Sequence, residues 1–328
     1  MPDVDVAIVG GGPSGLATAI ECTKRNLSYV VIEKGSLVDA IRRFPMNMVF
    51  FTTPDLLEIG ELPLVCAREK PSRLEALKYY RRVTEFYRLR TKLYERVDGV
   101  RSVNGHFEVE SSYTRGQVGA PDAITAGTLV VATGYYDNPN YLGIPGEELA
   151  KVSHYYTEAH PYYGLDVAVI GGGNSAAETV LDLYRSGVKV RLIHRGADVS
   201  THIKYWVRPD IKNRISRGEV EAYLETQVVE ILPDKLVLER KGGERFTIPN
   251  DAVLALTGYR PDYTFLESMG ITIDKESGKP HTDPESCETN VSGIYLAGGI
   301  VAGRETNKIF IENGRFHGQK IIKHLTRG

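Results

Sequence analysis

The sequence of 328 residues predicts an α/β fold built from two strand–turn–helix–strand units. The first unit covers residues 4–33 and the second covers residues 167–195, and each has a glycine-rich turn after its first strand. A further apolar strand that ends in Thr-Gly follows each unit, at residues 129–134 and 253–258. Apolar runs that alternate with helical patterns in this way are typical of parallel sheets covered by helices.

The first glycine-rich turn fits the pattern G-x-G-x-x-G, with Gly10, Gly12 and Gly15 at the three glycine positions. The first glycine permits a tight turn, the second lets the backbone approach a pyrophosphate, and the third lets the helix pack on the strand. Backbone N–H groups at the start of the helix favour phosphate binding. Glu33 ends the next strand, where a carboxylate can accept hydrogen bonds from a ribose diol. We therefore expect FAD at this unit.

The second turn has Gly171 and Gly173 at the first two positions and Ala176 at the third, which the pattern tolerates. The following strand ends at His194-Arg195, so bases stand where the first unit has an acid. A guanidinium can bind a 2′-phosphate that a carboxylate would repel, although Arg195 could also be a solvated surface charge. We therefore expect NADPH here, with contacts from Gly171, Gly173, Asn174, Ser175, Ala176, Glu178, His194, Arg195 and Lys204.

Segments outside the two units supply further candidates for the flavin site. Residues 44–53 are apolar and aromatic with two threonines, a composition that suits either a wall around a flavin ring or plain core. Residues 309–316 open the last predicted helix, whose N-terminus would stabilise negative charge on a reduced ring. The residues expected to contact FAD are Gly10, Gly12, Pro13, Ser14, Gly15, Glu33, Lys34, Thr133, Gly134, Gly298, Gly299 and Ile309.

The chain is predicted to form two domains, one of them discontinuous. Residues 1–139 and 251–328 would form the FAD-binding domain and residues 140–250 the NADPH-binding domain, because turn-forming residues mark both crossings. In addition, the spacing predicts one long helix with a basic face over residues 71–97. It also predicts a small antiparallel sheet over residues 100–113 and further strands over residues 227–246.

Composition and charge argue against several classes of function. The net charge of −2 and the lack of a basic block argue against a nucleic-acid partner. No apolar run has the length of a membrane span and no leader is recognisable, so we expect a cytoplasmic protein without membrane association. The three cysteines, Cys22, Cys66 and Cys287, form no C-x-x-C pair, so neither an internal redox dithiol nor a metal site is predicted.

Six short motifs give the chain a resemblance, from end to end, to a group of flavoproteins. They are Gly10–Pro13, Ala132–Tyr136, His160–Tyr162, Ile203-Lys204 with Trp206, Gly258-Tyr259 with Pro261–Tyr263, and Ile309–Gly314 with Phe316–Gly318. The chain resembles the low-molecular-weight thioredoxin reductases and, among them, the bacillithiol disulfide reductase (bacilliredoxin reductase) family. The resemblance implies a thioredoxin reductase-like fold with two Rossmann-like domains, FAD at the first motif and NADPH at the second. It also implies a homodimer or higher homo-oligomer that acts in low-molecular-weight thiol redox balance.

Three positions depart from the patterns of these relatives. The thioredoxin reductase pattern has a C-x-x-C pair in the second domain, where this chain continues without a cysteine. The bacillithiol-type pattern has a cysteine directly after Gly-Gly-Gly-Pro, where this chain has Ser14. A serine hydroxyl cannot form a mixed disulfide, so Ser14 is expected to cap the helix or bond phosphate, and no catalytic residue is assigned. Many relatives also place an aspartate for the ribityl chain where this chain has Gly299, although the resembling subfamily lacks it too.

The favoured function is therefore an NADPH-dependent flavin reductase that acts on a low-molecular-weight disulfide or a small redox protein. A ferredoxin- or flavodoxin-NADP reductase is one alternative, since it needs no cysteine. A flavin monooxygenase is another, since it shares both glycine motifs. A non-catalytic FAD-bound redox sensor is a third, which the second motif disfavours.

Overall fold

The computed structural model describes residues 1–117 and 119–327, and over these residues it contains fifteen β-strands and nine α-helices. The strands are β1 (Val4–Val9), β2 (Tyr29–Glu33), β3 (Thr91–Leu93), β4 (Glu95–Val103), β5 (His106–Tyr113), β6 (Ile124–Val131), β7 (Val152–Ser153), β8 (Asp166–Ile170), β9 (Lys189–Ile193), β10 (Glu221–Tyr223), β11 (Thr226–Ile231), β12 (Lys235–Arg240), β13 (Arg245–Pro249), β14 (Ala252–Ala255) and β15 (Ile294–Leu296).

The helices alternate with strands around each glycine-rich turn, whereas, over the described residues, β3 to β7 and β10 to β14 follow one another without an α-helix between them. They are α1 (Pro13–Lys24), α2 (Asp39–Arg42), α3 (Pro54–Leu57), α4 (Arg73–Phe86), α5 (Asn174–Arg185), α6 (Arg208–Ser216), α7 (Tyr263–Ser268), α8 (Ile311–Gly314) and α9 (His317–Leu325). Short 3₁₀ turns cover His160–Tyr162 and Gly298–Ala302. No helix within the described residues is long and apolar enough to cross a membrane.

The chain divides into two compact units, residues 1–138 with 259–328 and residues 139–258. The second crossing therefore lies at residue 258 rather than at the predicted residue 250. The reason is β14, which pairs in parallel with β8 and β7 and so belongs to the sheet of the second unit. The assignment of FAD to one unit and NADPH to the other remains a prediction at this point.

The first unit is built on a seven-stranded sheet in the order β3-β2-β1-β6-β5-β4, with β15 also pairing with β6. Strand β5 pairs with the first half of β6 and β15 with its second half. Because successive side chains of a strand point to opposite faces, Val6 and Ile8 pack against α1 on one face while Ala7 and Val9 join a separate core on the other.

Three predictions for the first unit need correction. Residues 71–97 do not form one helix: α4 ends at Phe86, Arg88 takes a left-handed conformation with φ of 49°, and the chain then joins the sheet as β3 and β4. Residues 100–113 do form an antiparallel hairpin, but it extends the main sheet instead of standing apart. The last predicted helix is divided into α8, which has only four residues, and α9.

The second unit combines a five-stranded sheet, in the order β10-β9-β8-β14-β7, with a three-stranded antiparallel sheet of β11, β12 and β13. The predicted strands in residues 227–246 are therefore present. Val167 and Val169 of β8 pack with α5, whereas Ala168 and Ile170 on the other face pack with Leu236 of the smaller sheet. This arrangement leaves the carboxyl end of β8 to lead directly into the second glycine-rich turn.

Candidate functional site: two glycine-rich turns

The first glycine-rich turn has the close packing that its sequence predicts. Gly10 follows β1 with φ of +110°, and a Cβ atom there would lie 2.6 Å from the carbonyl oxygen of Ala132. A Cβ atom on Gly15 would overlap the carbonyl oxygen of Gly10. These two glycines therefore let α1 begin directly against the end of β1.

Gly12 differs from these two glycines because space is open around it. A Cβ atom on Gly12 would meet no described atom within 4 Å, and Gly12 is the N-cap of α1 without any side-chain capping bond. Pro13, which has no N–H group, begins the helix, and the first turn contains no acidic residue. The start of α1 thus combines free space, unshared N–H groups and a positive helix end, which fits a phosphate group.

Glu33 lies at the end of β2, beside the glycine-rich turn. The Gly11 N–H donates to its Oε2 atom at 2.7 Å and the Gly35 N–H to its Oε1 atom at 2.8 Å. Burial of the side chain raises the pKa of Glu33, and these two N–H groups oppose that rise. Each carboxylate oxygen keeps a further lone pair for a ribose hydroxyl. The neighbouring Lys34 forms an ion pair with Asp137 at 2.8 Å.

Thr133 carries a polar atom whose partner is missing from the described protein. It follows β6 and leads into Gly134, which has φ of +66°. The Oγ1 atom of Thr133 is buried and has no hydrogen-bond partner among residues 1–117 and 119–327. Because buried hydroxyl groups are nearly always hydrogen-bonded, this atom indicates a group that the chain itself does not supply. Both predicted flavin contacts, Thr133 and Gly134, therefore fit a bound nucleotide.

The Ser14 side chain lies close to Gly298 and Gly314, two glycines from the C-terminal part of the chain. A Cβ atom on Gly298 would lie 2.5 Å from the Ser14 Oγ atom, and one on Gly314 would lie 3.1 Å from it. Ser14 does not cap α1, since that position belongs to Gly12. The predicted capping role is therefore wrong, because residue 14 is already inside the helix. The Gly298 N–H donates to the Nδ1 atom of His317 at 3.1 Å.

Gly299 lies under an aromatic ring. A Cβ atom on Gly299 would come within 2.6 Å of the Tyr135 ring and 3.7 Å of the Ile309 carbonyl oxygen. The Tyr135 hydroxyl donates to the carbonyl oxygen of Thr306 at 3.2 Å, and burial raises the pKa of Tyr135 to about 12. The ring of Tyr135 thus occupies the space that an aspartate side chain at residue 299 would need.

The second glycine-rich turn repeats the geometry of the first. Gly171 has φ of +149°, and a Cβ atom there would lie 2.5 Å from the Leu256 carbonyl oxygen and 3.1 Å from the Ala176 Cβ atom. Gly173 is the N-cap of α5 and has open space around it, with no acidic residue in the first helical turn. Ala176 is buried and takes the third position, as the sequence predicts.

His194 and Arg195 lie beside this turn in different environments. The His194 ring fills the space next to Gly172, where a Cβ atom would collide with it. Burial, with the Arg195 charge, lowers the pKa of His194, so the imidazole is neutral at neutral pH. Arg195 is exposed and forms no ion pair with any residue in the described part of the chain. Its guanidinium is therefore available to an anionic ligand.

Asn174, Glu178 and Lys204 form a connected group instead of a free phosphate site. The Lys204 N–H donates to Asn174 Oδ1 at 2.9 Å, and Asn174 Nδ2 donates to the His202 carbonyl oxygen at 3.3 Å. The Lys204 ammonium forms an ion pair with Glu178. Asn174 and Lys204 thus hold the segment after β9 against the start of α5, and Ser175 is exposed on that helix.

The three cysteines are all unpaired. Cys22 and Cys287 are buried, and burial raises the pKa of Cys22 to about 12 and that of Cys287 above its usual value. Cys66 is half-buried, and its thiol donates to the Arg68 carbonyl oxygen at 2.8 Å. Neither buried thiol is suited to act as a thiolate.

Comparison with known proteins identifies the family. Residues 7–298 match the model of the pyridine nucleotide-disulphide oxidoreductase family. The chain belongs to this family. It is 41% identical over 321 residues to bacilliredoxin reductase of Bacillus subtilis (strain 168), covering 98% of this chain and 97% of that protein. Membership of this family shows that the chain is an oxidoreductase and implies a pyridine nucleotide and a flavin as its cofactors.

Solved structures confirm the predicted fold. Bacillithiol disulfide reductase from Bacillus cereus superimposes with a TM-score of 0.95 and is 43% identical, covering 98% of both chains. A thioredoxin reductase from T. acidophilum has the same fold, with a TM-score of 0.77, 21% identity and coverage of 99% of this chain and 98% of that one. The prediction of a thioredoxin reductase-like α/β fold is thus confirmed, as is the resemblance to the bacillithiol disulfide reductase family.

Two residues beside the first turn were given no role by the sequence. Tyr135 and His317 lie inside the motifs that carry the family resemblance, but nothing in the spacing indicates that one covers Gly299 and the other accepts from Gly298. Both contacts join segments far apart in the chain. The only signal that the sequence offers for either residue is an unusual aromatic or histidine side chain beside a glycine turn.

Proposed function

We propose that this protein is an FAD-dependent NADPH oxidoreductase that reduces a low-molecular-weight disulfide. The observation that carries the proposal is the pair of open glycine-rich turns with opposite charges beside them, Glu33 at the first and Arg195 at the second. An acid suits an unmodified ribose and a base suits a 2′-phosphate. The similarity to bacilliredoxin reductase supplies the class of acceptor.

The first unit would hold FAD through backbone and hydroxyl groups. The start of α1 at Gly12 would bind the pyrophosphate, Glu33 would accept from the ribose, and the orphan hydroxyl of Thr133 would donate to the nucleotide or its ring. When bound, FAD supplies a ring that accepts an electron pair from NADPH and passes it to an acceptor. The remaining predicted FAD contacts, such as Lys34 and Ile309, belong to the same unit.

The second unit would hold NADPH through the start of α5 and through Arg195. Gly173 leaves room for the pyrophosphate, and the unpaired guanidinium of Arg195 can form two charge-assisted hydrogen bonds with the 2′-phosphate. Asn174 and Lys204 would act by fixing the neighbouring segment, since their polar groups already bond within the protein.

The acceptor would take its electrons without a protein thiol intermediate. Reduction of a disulfide RSSR by NADPH and one proton gives two RSH and NADP⁺, so electrons and protons balance without a protein disulfide. Ser14 stands where the bacillithiol-type pattern has cysteine, and two of the three cysteines are buried. We therefore place the electron transfer between the flavin and a bound disulfide directly.

The test is NADPH-dependent reduction of bacillithiol disulfide by the wild type and by a variant that carries Cys22→Ala, Cys66→Ser and Cys287→Ala. The proposal expects both proteins, each with a full content of FAD, to produce thiols at similar rates. Loss of thiol production in the folded, flavin-loaded variant alone would show that a protein thiol is required. Failure of both proteins to reduce the disulfide would refute the proposed acceptor.

A ferredoxin- or flavodoxin-NADP reductase is the second candidate, because this chain has no cysteine pair to pass electrons to a disulfide. Rapid reduction of a one-electron carrier, without reduction of bacillithiol disulfide, would favour it. We further propose that the protein acts in the cytoplasm as a homodimer or higher homo-oligomer. Sedimentation of the purified protein tests the oligomeric state.

A further inference from the structure

His317 connects the last long helix to the glycine turn after β15. It is the first residue of α9, and its Nδ1 atom accepts a hydrogen bond of 3.1 Å from the Gly298 N–H. A ring nitrogen that accepts an N–H must be unprotonated, so the imidazole is neutral and its proton is on Nε2. Burial lowers the pKa of His317 to about 4, with a smaller contribution from Lys320, which agrees with this state.

The backbone that carries His317 is itself fixed against α1. A Cβ atom on the next residue, Gly318, would lie 2.6 Å from the Cα atom of Thr18. Helix α9 therefore touches α1 backbone to backbone at this point. Close packing of this kind leaves the imidazole little freedom to move away from Gly298.

The partner of His317 lies at a crowded position that only glycine fits well. Gly298 has φ of +81°, and it lies so close to Ser14 that a Cβ atom would be 2.5 Å from the Ser14 Oγ atom. Gly314 closes the same space from α8, with its own Cβ position 3.0 Å from the Gly298 Cα atom. The shape of the turn at Gly298 thus depends on a small set of contacts. Among them, the hydrogen bond to His317 fixes the direction of the Gly298 N–H.

We infer that His317 is a positioning residue for the flavin site, where its neutral imidazole fixes the Gly298 turn beside the start of α1. The inference rests on the proposed function, since Gly298 and Ser14 are expected FAD contacts. It assigns His317 no contact with the flavin itself. The hydrogen bond orients the peptide of Gly298, so that the turn after β15 keeps the shape that the nucleotide requires.

The test uses three replacements of His317 that differ in where they place an acceptor. In His317→Asn the amide oxygen lies near the position of Nδ1, in His317→Gln it lies farther out, near Nε2, and in His317→Leu there is no acceptor. The dissociation constant of FAD from each apoprotein is measured by quenching of flavin fluorescence. His317→Asn should bind FAD nearly as well as wild type, whereas His317→Gln and His317→Leu should bind roughly tenfold more weakly, as for loss of one buried hydrogen bond.

His324 supplies a matched control on the same helix. Its side chain is 46% exposed and lies near Glu288, away from Gly298, so His324→Gln should leave FAD affinity unchanged. Equal FAD affinity in all three His317 variants, with cooperative unfolding in each, would overturn the inference. Equal loss in His317→Asn and His317→Leu would also overturn it, because the acceptor position would then not matter. If wild type itself bound no FAD, the proposed function would fail instead.

Discussion

The carbonyl oxygen of Gly10 occupies the space that a Cβ atom on Gly15 would need. Replacement of Gly15 by alanine must therefore push α1 away from β1, in the core of the first unit. We expect Gly15→Ala to lower the free energy of unfolding by about 1–3 kcal/mol, as for overpacking of a core. The midpoint of urea unfolding of the apoprotein, compared with wild type, measures this change.

Gly12→Ala is the matched control for the Gly15 variant. A Cβ atom at Gly12 would meet no atom of the described residues within 4 Å, and Gly12 lies outside the left-handed region with φ of −76°. The apoprotein should therefore unfold at nearly the wild-type midpoint. Its affinity for FAD should fall, because the added methyl group enters the space assigned to the pyrophosphate. Unchanged FAD affinity in Gly12→Ala would show that the pyrophosphate does not bind at this turn.

Thr133→Val should stabilise the apoprotein more than it stabilises the FAD-bound protein. The variant removes a buried hydroxyl without a described partner, so the apoprotein should become more stable by about 1 kcal/mol. If FAD accepts a hydrogen bond from Thr133, the variant should also bind FAD several-fold more weakly. Thermal unfolding with and without FAD separates the two effects. Equal stabilisation of both forms would show that the hydroxyl does not contact the nucleotide.

Arg195→Glu should reverse part of the preference for NADPH over NADH. The unpaired guanidinium would be replaced by a carboxylate that repels a 2′-phosphate, which predicts a roughly tenfold to hundredfold fall in the ratio of kcat/KM values for the two nucleotides. Arg217→Glu, at an exposed position of the same unit, is the control and should leave the ratio unchanged. If the ratio of kcat/KM values for Arg195→Glu equals that of wild type, the assignment of Arg195 to the 2′-phosphate is contradicted.

His317 predicts how stability depends on pH. Its pKa falls from an ordinary value of 6.5 to about 4 on folding, so between these values the unfolded chain binds more protons than the folded protein. The free energy of unfolding therefore has its full value above pH 6.5 and decreases as pH falls toward 4, by about 3 kcal/mol at most. The free energy of unfolding of His317→Asn should fall less than that of wild type over the same range. Parallel curves for the two proteins would contradict the protonation state assigned to His317.

The sequence was sufficient for the parts of the site that depend on local geometry. Both glycine turns, the buried Ala176 and the position of Glu33 beside the first turn follow from spacing along one strand, one turn and one helix. Such units are specified by neighbouring residues, because the turn must be small and the helix must begin at once. The hairpin at residues 100–113 was predicted for the same reason, from its Asn104-Gly105 turn.

Contacts between distant segments could not be predicted from the sequence. The helical spacing in residues 71–97 did not show that the chain returns to the edge of the sheet after Phe86, since pairing of β3 with β2 decides that. Lys204 reads as a free phosphate ligand until its pairing with Glu178 is known. His317 has a role only because α9 packs on α1 beside Gly298.

Anaerobic mixing of the FAD-loaded protein with one equivalent of NADPH tests the central claim most directly. One site for FAD and another for NADPH predict that the visible absorbance of the oxidised flavin is lost, and that NADH at the same concentration reduces the flavin more slowly. Later addition of bacillithiol disulfide should restore the absorbance. A flavin that stays oxidised in the presence of NADPH would contradict the account.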